Sequence, residues 1–474
     1  MIKEYPIFLA GSGRPCKKAV EIMNPYNGEA IGSVHQAGDA EIEHAIRAAQ
    51  NAFPELRKMP LYRRADALQK ITDGLRERRE ELARMICVEA GKPITDARGE
   101  VGRAILNFQT AVEESKRLGG ELIPLDLAAG SESRVGIVRR FPIGPILGIS
   151  PFNFPLNLVG HKIAPAIASG NPIILKPAPK TPITALLLGE IIATAGLPAG
   201  SVSILPCSNE LAEKMATDER FRLLSFTGSA KVGWHLKSKA GKKKVLLELG
   251  GNAGVIIHRD ADLDLAARRC AAGGFSYAGQ SCISVQRIYV HEPVIKPFMD
   301  RFLNLVRALK TGDPMDDGTS VGPMIHSDAA ERTEQWVAEA VRQGAKVLIG
   351  GKRRGPLFEP TVLDHVTPVM KVCTEEVFAP LVVVIPYNDF DEALASVNNS
   401  AYGLQAGIFS NDLKKIFHAY EELEVGGLMV NEVSSYRIDP MPYGGVKDSG
   451  LGREGVRYAI EEMTEPKLLA LNLQ

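Results

Sequence analysis

A cysteine and a glutamate stand in two short segments whose composition suits acyl chemistry on sulfur. Cys282 follows small and polar residues in the segment 275–283 (FSYAGQSCI), and Glu248 lies in the glycine-rich segment 247–251 (LELGG). A thiol presented to solvent is a nucleophile, and a carboxylate that can swing toward it can serve as a general base. A lone cysteine is more often a small buried apolar residue, so Cys282 alone does not establish catalysis.

The composition is that of an ordinary globular protein and excludes some partners. The chain has 474 residues, 45% hydrophobic and 24% charged, and its 56 Lys+Arg balance its 56 Asp+Glu. This length predicts two or three domains with large cores. Because no basic excess is present, we expect neither a nucleic acid nor an anionic membrane as a partner. Because the net charge is near zero, charge repulsion between copies of the chain does not oppose the formation of homo-oligomers.

The cysteine pattern indicates reduced thiols and no metal site. Six cysteines are scattered along the chain without a CxxC pair or a Cys/His cluster of metal-binding spacing. The first residues, MIKEYP, contain no apolar signal-peptide core, and no apolar run reaches the ~18–20 residues that would span a bilayer. These features predict a cytoplasmic location.

The order of apolar runs predicts an α/β protein. Residues 39–53, two stretches within 61–90, and 94–117 have helical periodicity, and Asp39 is the expected N-cap of the first helix. Residues 121–141 alternate as in a projecting β-hairpin. From 143 short apolar strands alternate with helices, which predicts parallel sheets covered on both faces, with a second such set after 251. The segment 467–471 is expected to be a final strand that pairs with the hairpin of a neighbouring subunit.

Three further segments each allow two interpretations. In 226–233 (FTGSAKVG), Gly228 and Ser229 join a strand to a helix and suit either a pyrophosphate or an ordinary tight turn. Lys176 ends a strand, and its side chain could either bind ribose hydroxyls or be an ordinary solvated surface lysine. Asn153 lies in the stiff loop 150–155 (SPFNFP). Its side-chain amide could either stabilise an oxyanion or hydrogen-bond to its own backbone in a turn.

Together with 375–380 (EEVFAP) and the glycine-rich loop 442–450, these segments resemble the aldehyde dehydrogenase superfamily over essentially the whole chain. The likeness is to hydrolytic, non-phosphorylating, NAD(P)-dependent members such as succinate-semialdehyde and lactaldehyde dehydrogenases. It implies a Rossmann-like coenzyme domain, an α/β catalytic domain and a small β oligomerisation arm, assembled as a homodimer or homotetramer. The domains are expected at 1–118 and 142–250 (coenzyme), 251–447 (catalytic), and 119–141 and 460–474 (arm).

The resemblance also implies roles for individual residues. Cys282 would be the nucleophile that forms a thiohemiacetal and then a thioester, in a setting that favours its thiolate. Asn153 and the Cys282 backbone N–H would hold the oxyanion, Glu248 would activate water, and Lys162 would support the proton network. The residues expected to bind NAD or NADP are Ser150, Phe152, Lys176, Pro179, Gly228, Ser229, Gly233, Leu249, Glu376 and Phe378.

One departure from the family pattern bears on the choice of cofactor. NAD-selective relatives often carry a glutamate three positions after the ribose-binding lysine, where this chain has Pro179 followed by Lys180. Without that carboxylate a 2′-phosphate is not repelled, so we expect NADP to be tolerated. The exchanges at Phe152, often Trp in relatives, and Ala379, often Gly, are mild.

The positions expected to line the substrate tunnel are polar. A polar tunnel disfavours alkyl and aryl aldehydes, and an arginine suits an anion at its far end. We therefore predict oxidation of a small hydrophilic aldehyde (a semialdehyde, hydroxyaldehyde or phospho-aldehyde), with a structural ion pair as the alternative role of the arginine. Ser276 and, more weakly, Arg98 and Arg103 could add to this site. The alternatives are a CoA-acylating semialdehyde dehydrogenase, which usually lacks the Glu248 base, and a catalytically silent structural protein. The predicted tunnel residues are Asn157, His161, Ser281 and Arg437.

Overall fold

The computed structural model describes residues 2–474, which form twenty-five strands and fifteen α-helices. The strands are β1 Glu4–Tyr5, β2 Ile7–Leu9, β3 Ser12–Arg14, β4 Ala19–Met23, β5 Ala30–His35, β6 Gly120–Pro124, β7 Arg134–Pro142, β8 Ile146–Ile149, β9 Ile173–Lys176, β10 Val202–Ile204, β11 Leu223–Thr227, β12 Lys244–Glu248, β13 Ala253–Ile257, β14 Val285–His291, β15 Lys346–Ile349, β16 Arg353–Arg354, β17 Leu357–Phe358, β18 Thr361–Asp364, β19 Leu381–Tyr387, β20 Tyr402–Gly403, β21 Gln405–Phe409, β22 Gly427–Val430, β23 Val446–Lys447, β24 Gly450–Leu451 and β25 Thr464–Asn472. The helices are α1 Asp39–Leu56, α2 Leu61–Glu77, α3 Arg79–Ala90, α4 Ile94–Ser115, α5 Asn157–Ser169, α6 Ile183–Ala193, α7 Asn209–Thr217, α8 Ala230–Lys239, α9 Leu263–Phe275, α10 Ile295–Arg307, α11 Ser327–Arg342, α12 Lys371–Thr374, α13 Phe390–Asn398, α14 Leu413–Glu422 and α15 Val456–Glu462.

The first large sheet has eight strands in the order β24-β12-β11-β8-β9-β10-β2-β3. Its five central strands are parallel, and β8, β9 and β10 are buried along their whole length. Such continuous apolar runs suit a sheet covered on both faces, which confirms the predicted strand–helix alternation. The carboxyl ends of these strands form one edge, where ligands bind in open α/β sheets.

The N-terminal helices cover this sheet through apolar faces. In α1, Ile42, Ala45, Ile46 and Ala49 are buried, as their spacing predicted. The predicted cap was wrong, because Asp39 is the first helical residue. The Gly38 N–H donates instead to the Glu41 carboxylate at 2.9 Å.

The second large sheet has seven strands in the order β15-β18-β19-β14-β13-β21-β22. All its neighbouring pairs are parallel except β15 with β18. The α/β set expected after residue 251 is therefore present. It has its own core, which contains Phe275, Phe298 and Phe302.

The predicted hairpin is present, but the last strand pairs within the same chain. Strand β7 pairs antiparallel with β6 on one side and with β25 on the other, where Thr464 to Asn472 face Pro142 to Arg134. Pairing of the final strand with a neighbouring subunit's hairpin is thus replaced by pairing with β7 of its own chain. The domain boundaries given above stay a prediction.

The glycine-rich loop returns the chain from the second sheet to the first. Strand β24 pairs antiparallel with β12, so that Gly450 stands opposite Glu248. The Leu249 N–H donates to the Ser449 carbonyl at 2.9 Å, and the Ser449 hydroxyl donates to the Gly250 carbonyl at 2.7 Å. These bonds fix the end of β12 against residues that lie two hundred positions later. Within residues 2–474, no helix is long and apolar enough to cross a membrane.

Candidate active site

Cys282 lies on a turn that follows a short left-handed segment. After α9, Tyr277 and Ala278 have φ of 48° and 52°, and Gly279 has φ of 65°. Non-glycine residues in this region cost roughly 1–3 kcal/mol each and persist only where the surroundings enforce them. The enforcing contacts include the Tyr277 hydroxyl, which donates to the Ala90 carbonyl at 3.0 Å, and the Tyr277 N–H, which donates to Asp96 at 3.1 Å.

The glycine-rich segment after Glu248 allows the cysteine turn to approach it closely. A Cβ on Gly251 would lie 2.1 Å from the Cys282 carbonyl oxygen, a separation that backbone atoms do not tolerate. Gly251 is therefore required for the cysteine turn to pack directly against the end of β12. This contact holds the two predicted segments against each other.

The protein groups around Cys282 do not by themselves favour its thiolate. Burial raises the pKa of the thiol to about 12, although a contact with the Tyr443 hydroxyl at 3.0 Å and the charge of Arg437 act in the opposite direction. The expected thiolate-favouring setting is thus not supplied by these residues. The Tyr443 hydroxyl is the polar group that contacts the Cys282 sulfur.

Glu248 is buried at the carboxyl end of β12 with one carboxylate oxygen unpaired. Its Oε2 has no hydrogen-bond partner, and a Cβ on Gly444 would meet Oε1 at 2.9 Å. Burial and the neighbouring carboxylate of Glu454 raise the pKa of Glu248 well above its usual value. An unpaired, protonatable carboxyl group on a cavity wall is the form expected of a general acid or base.

Asn153 presents an amide beside the cysteine turn. Its Nδ2 donates one hydrogen bond to the Gln280 carbonyl at 3.0 Å, which leaves the second N–H available. Its Oδ1 is buried without a partner, so the side chain does not satisfy its own loop as a turn asparagine would. The Gln280 bond orients the amide on the same cavity wall as Cys282.

Lys162 is fully buried on α5 and connects two hydroxyl groups with a carboxylate. Its Nζ donates to Thr227 at 2.7 Å and Ser225 at 3.1 Å, and it pairs with Glu454 at 3.3 Å. Burial lowers the pKa of Lys162, while Glu454 opposes this. The charges of Lys162 and Arg437 hold the pKa of Glu454 well below its usual range despite burial.

Arg437 lies on the other side of Glu454. Its guanidinium pairs with Glu454 at 3.2 Å, donates to His161 Nδ1 at 2.8 Å and stacks 3.5 Å above the Tyr443 ring. The structural ion pair considered above is therefore present. Arg437 also lines the cavity, and its Nε has no partner.

Asp439 is a fully buried carboxylate that three side chains share. It accepts from His161 Nε2 at 2.7 Å, from Asn157 Nδ2 at 3.0 Å, and from Arg103 at 2.8 and 3.2 Å. These partners hold the pKa of Asp439 well below its usual range although burial opposes them. The result is a continuous buried cluster from Arg103 through Asp439 and His161 to Arg437, Glu454 and Lys162.

A single cavity of about 350 Å³ brings most of the predicted residues together. It is the size of a small-ligand site and combines an apolar wall with a few convergent polar groups. The predicted residues on its wall are Phe152, Asn153, Asn157, Gly228, Ser229, Glu248, Leu249, Ser281, Cys282, Glu376, Phe378 and Arg437.

The groups at the cofactor end fit a dinucleotide. The Ser150 hydroxyl is buried without a partner, Lys176 Nζ is held only by Asn209 Oδ1 at 3.0 Å, and Ser229 precedes α8 without capping it through its side chain. Free hydroxyls, a buried ammonium and an open helix N-terminus are groups that bind ribose and pyrophosphate. Pro179 and Lys180 are exposed beyond β9, and within residues 2–474 Lys180 makes no ion pair.

The 375–380 segment closes this end. Glu376 accepts from the Gly251 N–H at 3.0 Å, and burial raises its pKa to about 7. Phe378 has φ of 52° and packs edge-on against Phe152 with ring centroids 6.0 Å apart. The strained backbone at Phe378 aims its ring into the cavity instead of the core.

Several predicted residues lie elsewhere. His161 is buried behind Arg437 and does not reach the cavity wall, and Ser276 is exposed and donates to Asp96 at 2.9 Å. Gly233 faces Leu249, where a Cβ would lie 2.3 Å from Cδ2, so it allows close packing of α8, and its predicted place in a pyrophosphate turn stays a prediction. Arg98 pairs with Glu80 and Asp317 on the surface. Arg103, by contrast, lines the cavity.

Four ionisable residues of the cavity wall or the buried cluster were not predicted from the sequence. They are Arg332, Tyr443, Glu454 and Asp439, and only the glycine-rich loop that contains Tyr443 carried a local signal. Glu454 and Asp439 follow ordinary-looking polar stretches, and their burial arises only when the loop packs on α5. Arg332 has its Nη2 held by the Val377 carbonyl at 2.6 Å.

Comparison with known proteins agrees with this geometry. Residues 12–469 match the model of the Aldehyde dehydrogenase family, so the chain belongs to that family. A 3-sulfolactaldehyde dehydrogenase from Priestia aryabhattai is 45% identical over 473 residues, which covers 100% of this chain and 99% of that protein.

Two solved structures extend the comparison. Aldehyde dehydrogenase 21 from Physcomitrella patens, in complex with its product succinate, has a TM-score of 0.98 and 48% identity and covers 100% of this chain and 99% of its own. A glyceraldehyde-3-phosphate dehydrogenase from Methanocaldococcus jannaschii in complex with NADP has a TM-score of 0.93 and 40% identity, covering 96% and 100%. These neighbours share the α/β fold described above.

Proposed function

We propose that this protein oxidises a short hydrophilic aldehyde with an anionic group to the carboxylic acid, with NAD or NADP and by a hydrolytic route. The observation that carries the proposal is that Cys282, Glu248 and Arg437 line one cavity of about 350 Å³. These supply a nucleophile, a base and a cation for the substrate. The sulfolactaldehyde dehydrogenase and the succinate complex support a small anionic substrate.

Acylation begins when the Cys282 thiolate attacks the aldehyde carbon. The carbonyl oxygen becomes an oxyanion, which the free N–H of Asn153 and the backbone N–H of Cys282 stabilise in the resulting thiohemiacetal. When bound, NAD or NADP would supply the hydride acceptor, and loss of a hydride from this carbon would leave a thioester on Cys282. Lys176, Ser150, Ser229 and Glu376 are the residues proposed to hold the cofactor.

Deacylation requires water and a base. As a water molecule attacks the thioester carbon, Glu248 removes a proton from that water. The C–S bond then breaks, and the acid is released. The unpaired Oε2 of Glu248 faces no competing donor in the protein. Glu454, Lys162 and Thr227 are joined to one another by hydrogen bonds near this carboxyl group, but none of them bonds Glu248 directly.

The cation that recognises the substrate is Arg437. The ion pair with Glu454 occupies its Nη2, while the buried Nε is unpaired and the side chain lines the cavity. An unpaired guanidinium N–H without water is costly unless a ligand meets it. Ser281 adds a hydroxyl to the same wall.

NADP is proposed to be accepted alongside NAD. No carboxylate follows Lys176 at position 179, and the exposed Lys180 has no ion-pair partner in residues 2–474. A free cation beside the ribose end attracts a 2′-phosphate. The NADP complex of the archaeal neighbour supports this choice.

The CoA-acylating alternative and a silent structural protein are not favoured. The nucleophile, the amide and the base all reach one cavity, and the buried Glu248 is placed to activate water. A catalytically silent protein would be expected to have replaced at least one of Cys282, Glu248 and Asn153. This chain keeps all three.

A panel assay tests the proposal. Purified protein is incubated with NAD or NADP and succinate semialdehyde, lactaldehyde, glyceraldehyde 3-phosphate, propanal or benzaldehyde, and the formation of reduced cofactor and free acid is followed. We expect anionic or hydroxylated aldehydes to exceed propanal and benzaldehyde by about tenfold or more in kcat/KM. A preference for benzaldehyde, or acid release that requires CoA, would contradict the proposal.

A further inference from the structure

The hydroxyl group of Tyr443 has the reactive sulfur as its partner. Tyr443 Oη lies 3.0 Å from Cys282 Sγ, and within residues 2–474 the hydroxyl makes no other hydrogen bond. The side chain is buried, with 3% of its surface exposed. A buried tyrosine hydroxyl usually pairs with a strong acceptor such as a carbonyl oxygen, because an unsatisfied polar group is costly away from water. Here the only acceptor is sulfur.

A thiol is a poor partner for this hydroxyl, whereas a thiolate is a good one. The sulfur of a neutral thiol is a weak acceptor, but a thiolate carries a negative charge and has no proton of its own to donate. A hydrogen bond to a charged acceptor is roughly twice as strong as one between neutral groups. The hydrogen bond from Tyr443 is therefore strongest in the state in which Cys282 attacks the aldehyde.

The backbone and the ring of Tyr443 are both held in place. Its N–H donates to the Glu454 carbonyl at 3.0 Å, and its carbonyl accepts from the Glu454 N–H at 2.6 Å. Its side chain forms one buried cluster with Ile283 and Leu404. A donor that is fixed in this way needs no reorganisation when charge develops on the sulfur, and such preorganised donors contribute most to catalysis.

Arg437 strengthens the hydroxyl as a donor. Its guanidinium lies 3.5 Å from the centre of the Tyr443 ring, and a cation over the aromatic face makes the phenol a stronger acid. Burial nevertheless raises the pKa of Tyr443 well above its usual value, so the phenol keeps its proton at neutral pH. Burial also raises the pKa of Cys282, and of the groups that act against burial there the Tyr443 hydroxyl has the largest effect.

We infer that Tyr443 is a catalytic residue, whose hydroxyl donates a hydrogen bond to the Cys282 sulfur whenever that sulfur carries negative charge. Before acylation the thiol loses its proton to water, and the resulting thiolate accepts the Tyr443 O–H. In deacylation the electron pair of the C–S bond returns to sulfur as the bond breaks, and the departing thiolate accepts the same O–H. The tyrosine keeps its own proton throughout. This inference rests on the proposed function, because Cys282 is the nucleophile in both.

The first test measures the reactivity of the sulfur without any aldehyde. The wild-type protein and Tyr443→Phe are treated with iodoacetamide at pH 8, and alkylation of Cys282 is followed by mass spectrometry of its peptide. We expect the rate constant at Cys282 to fall about tenfold in Tyr443→Phe, because a smaller fraction of the sulfur is thiolate. Cys16, a partly exposed thiol, is the internal reference and should react at an unchanged rate in the same sample. An equal or faster rate at Cys282 would overturn the inference and leave the proposed function intact.

The second test measures the two chemical steps with the aldehyde that the wild-type protein oxidises best. Rapid mixing separates acylation, seen as the first turnover of reduced cofactor, from deacylation, seen as release of the acid. Both rate constants should fall about threefold to tenfold in Tyr443→Phe, because a weaker nucleophile population and a poorer leaving group act in successive steps. An unchanged rate constant in either step would overturn the inference. Turnover by Cys282→Ala would instead overturn the proposed function.

Tyr289→Phe is the matched control for both tests. It removes a buried tyrosine hydroxyl in β14, which donates to the Ser396 carbonyl at 3.1 Å and does not border the cavity. This variant should leave the alkylation rate of Cys282 and both chemical steps unchanged. A loss like that of Tyr443→Phe would show that removal of any buried hydroxyl slows the site, and the inference would then fail.

Discussion

The two large sheets place polar residues at the same kind of edge but use them differently. At the carboxyl end of β12, Glu248 is buried on the cavity wall with one oxygen unpaired, and at the end of β9 Lys176 is buried with Asn209 as its hydrogen-bond partner. In the seven-stranded sheet, His258 follows β13, His291 ends β14 and Tyr387 ends β19. The first edge borders the cavity and the second does not.

The second edge is closed because its aromatic rings fill the space. His258 and His291 stack with ring centroids 4.7 Å apart and 4° between planes, and His291 stacks on Tyr387 at 5.1 Å. His258 Nδ1 lies 2.8 Å from the Tyr387 hydroxyl. The comparison shows that polar residues at strand ends are not enough for a binding site. A site also needs unpaired polar groups that border an open cavity.

The largest effect should follow removal of the sulfur from the first edge. Cys282→Ala should lower kcat by roughly a thousandfold or more, because no other thiol lines the cavity among residues 2–474, while NAD(P) binding measured by fluorescence titration persists. Cys16→Ala, which changes a partly exposed thiol far from the cavity, should leave kcat unchanged. Appreciable turnover by Cys282→Ala would contradict the assignment of the active site to this edge of the first sheet.

Loss of the base should slow the second half-reaction. Glu248→Gln should lower steady-state kcat by roughly a hundredfold while the first turnover of reduced cofactor is affected less. Rapid-mixing measurements should then show a burst followed by a slow phase. A proportional loss in both phases would assign Glu248 a role in acylation instead.

The raised pKa of Glu248 also gives that variant a pH test. Because the base form is the deprotonated one, the wild-type kcat should rise with pH as Glu248 ionises above its usual range. In Glu248→Gln this limb should disappear from the kcat profile. If the limb survives, another group titrates in its place.

An intermediate effect is expected at the cofactor end. Pro179→Glu introduces a carboxylate after Lys176 and should reduce kcat/KM for NADP about tenfold, with a smaller change for NAD, since a 2′-phosphate would be repelled. The matched variant Pro179→Gln has a side chain of the same length without charge. It should keep the wild-type ratio, and a strong wild-type preference for NAD would contradict the expectation outright.

The smallest effect should come from the closed edge and should concern stability alone. Burial and the adjacent His291 lower the pKa of His258 to about 4, whereas an unfolded histidine titrates near 6.5. Between these values the unfolded chain binds more protons, so stability should fall as pH falls, by on the order of 2 kcal/mol in total.

Denaturant titrations at pH 7.5, 5.5 and 4.5 measure this dependence. His258→Phe should flatten part of the slope, whereas His235→Gln, at an exposed histidine on α8, should not. Activity at pH 8 should be retained in both variants because neither residue borders the cavity. A loss of activity in His258→Phe would show that the closed edge is not independent of the site.

The sequence by itself determined the class of fold, the family and the central chemical groups. Strand–helix alternation predicted both parallel sheets because burial on two faces demands continuous apolar runs. Cys282, Glu248 and Asn153 were recognisable because each lies in a short segment of constrained composition. Their neighbours must be small or stiff for backbones to approach, as the Gly251–Cys282 contact shows.

Only the tertiary structure decided which polar residues belong to the cavity. His161 and Arg437 looked equivalent as polar tunnel positions, yet one is buried behind the other, and Asp439 and Glu454 carried no local pattern. The reason is physical: the charge cluster joins α4 and α5 to the C-terminal segment, which lies hundreds of positions later in the chain. Whether a charged side chain pairs or faces a ligand is settled by those distant partners, not by its neighbours in sequence.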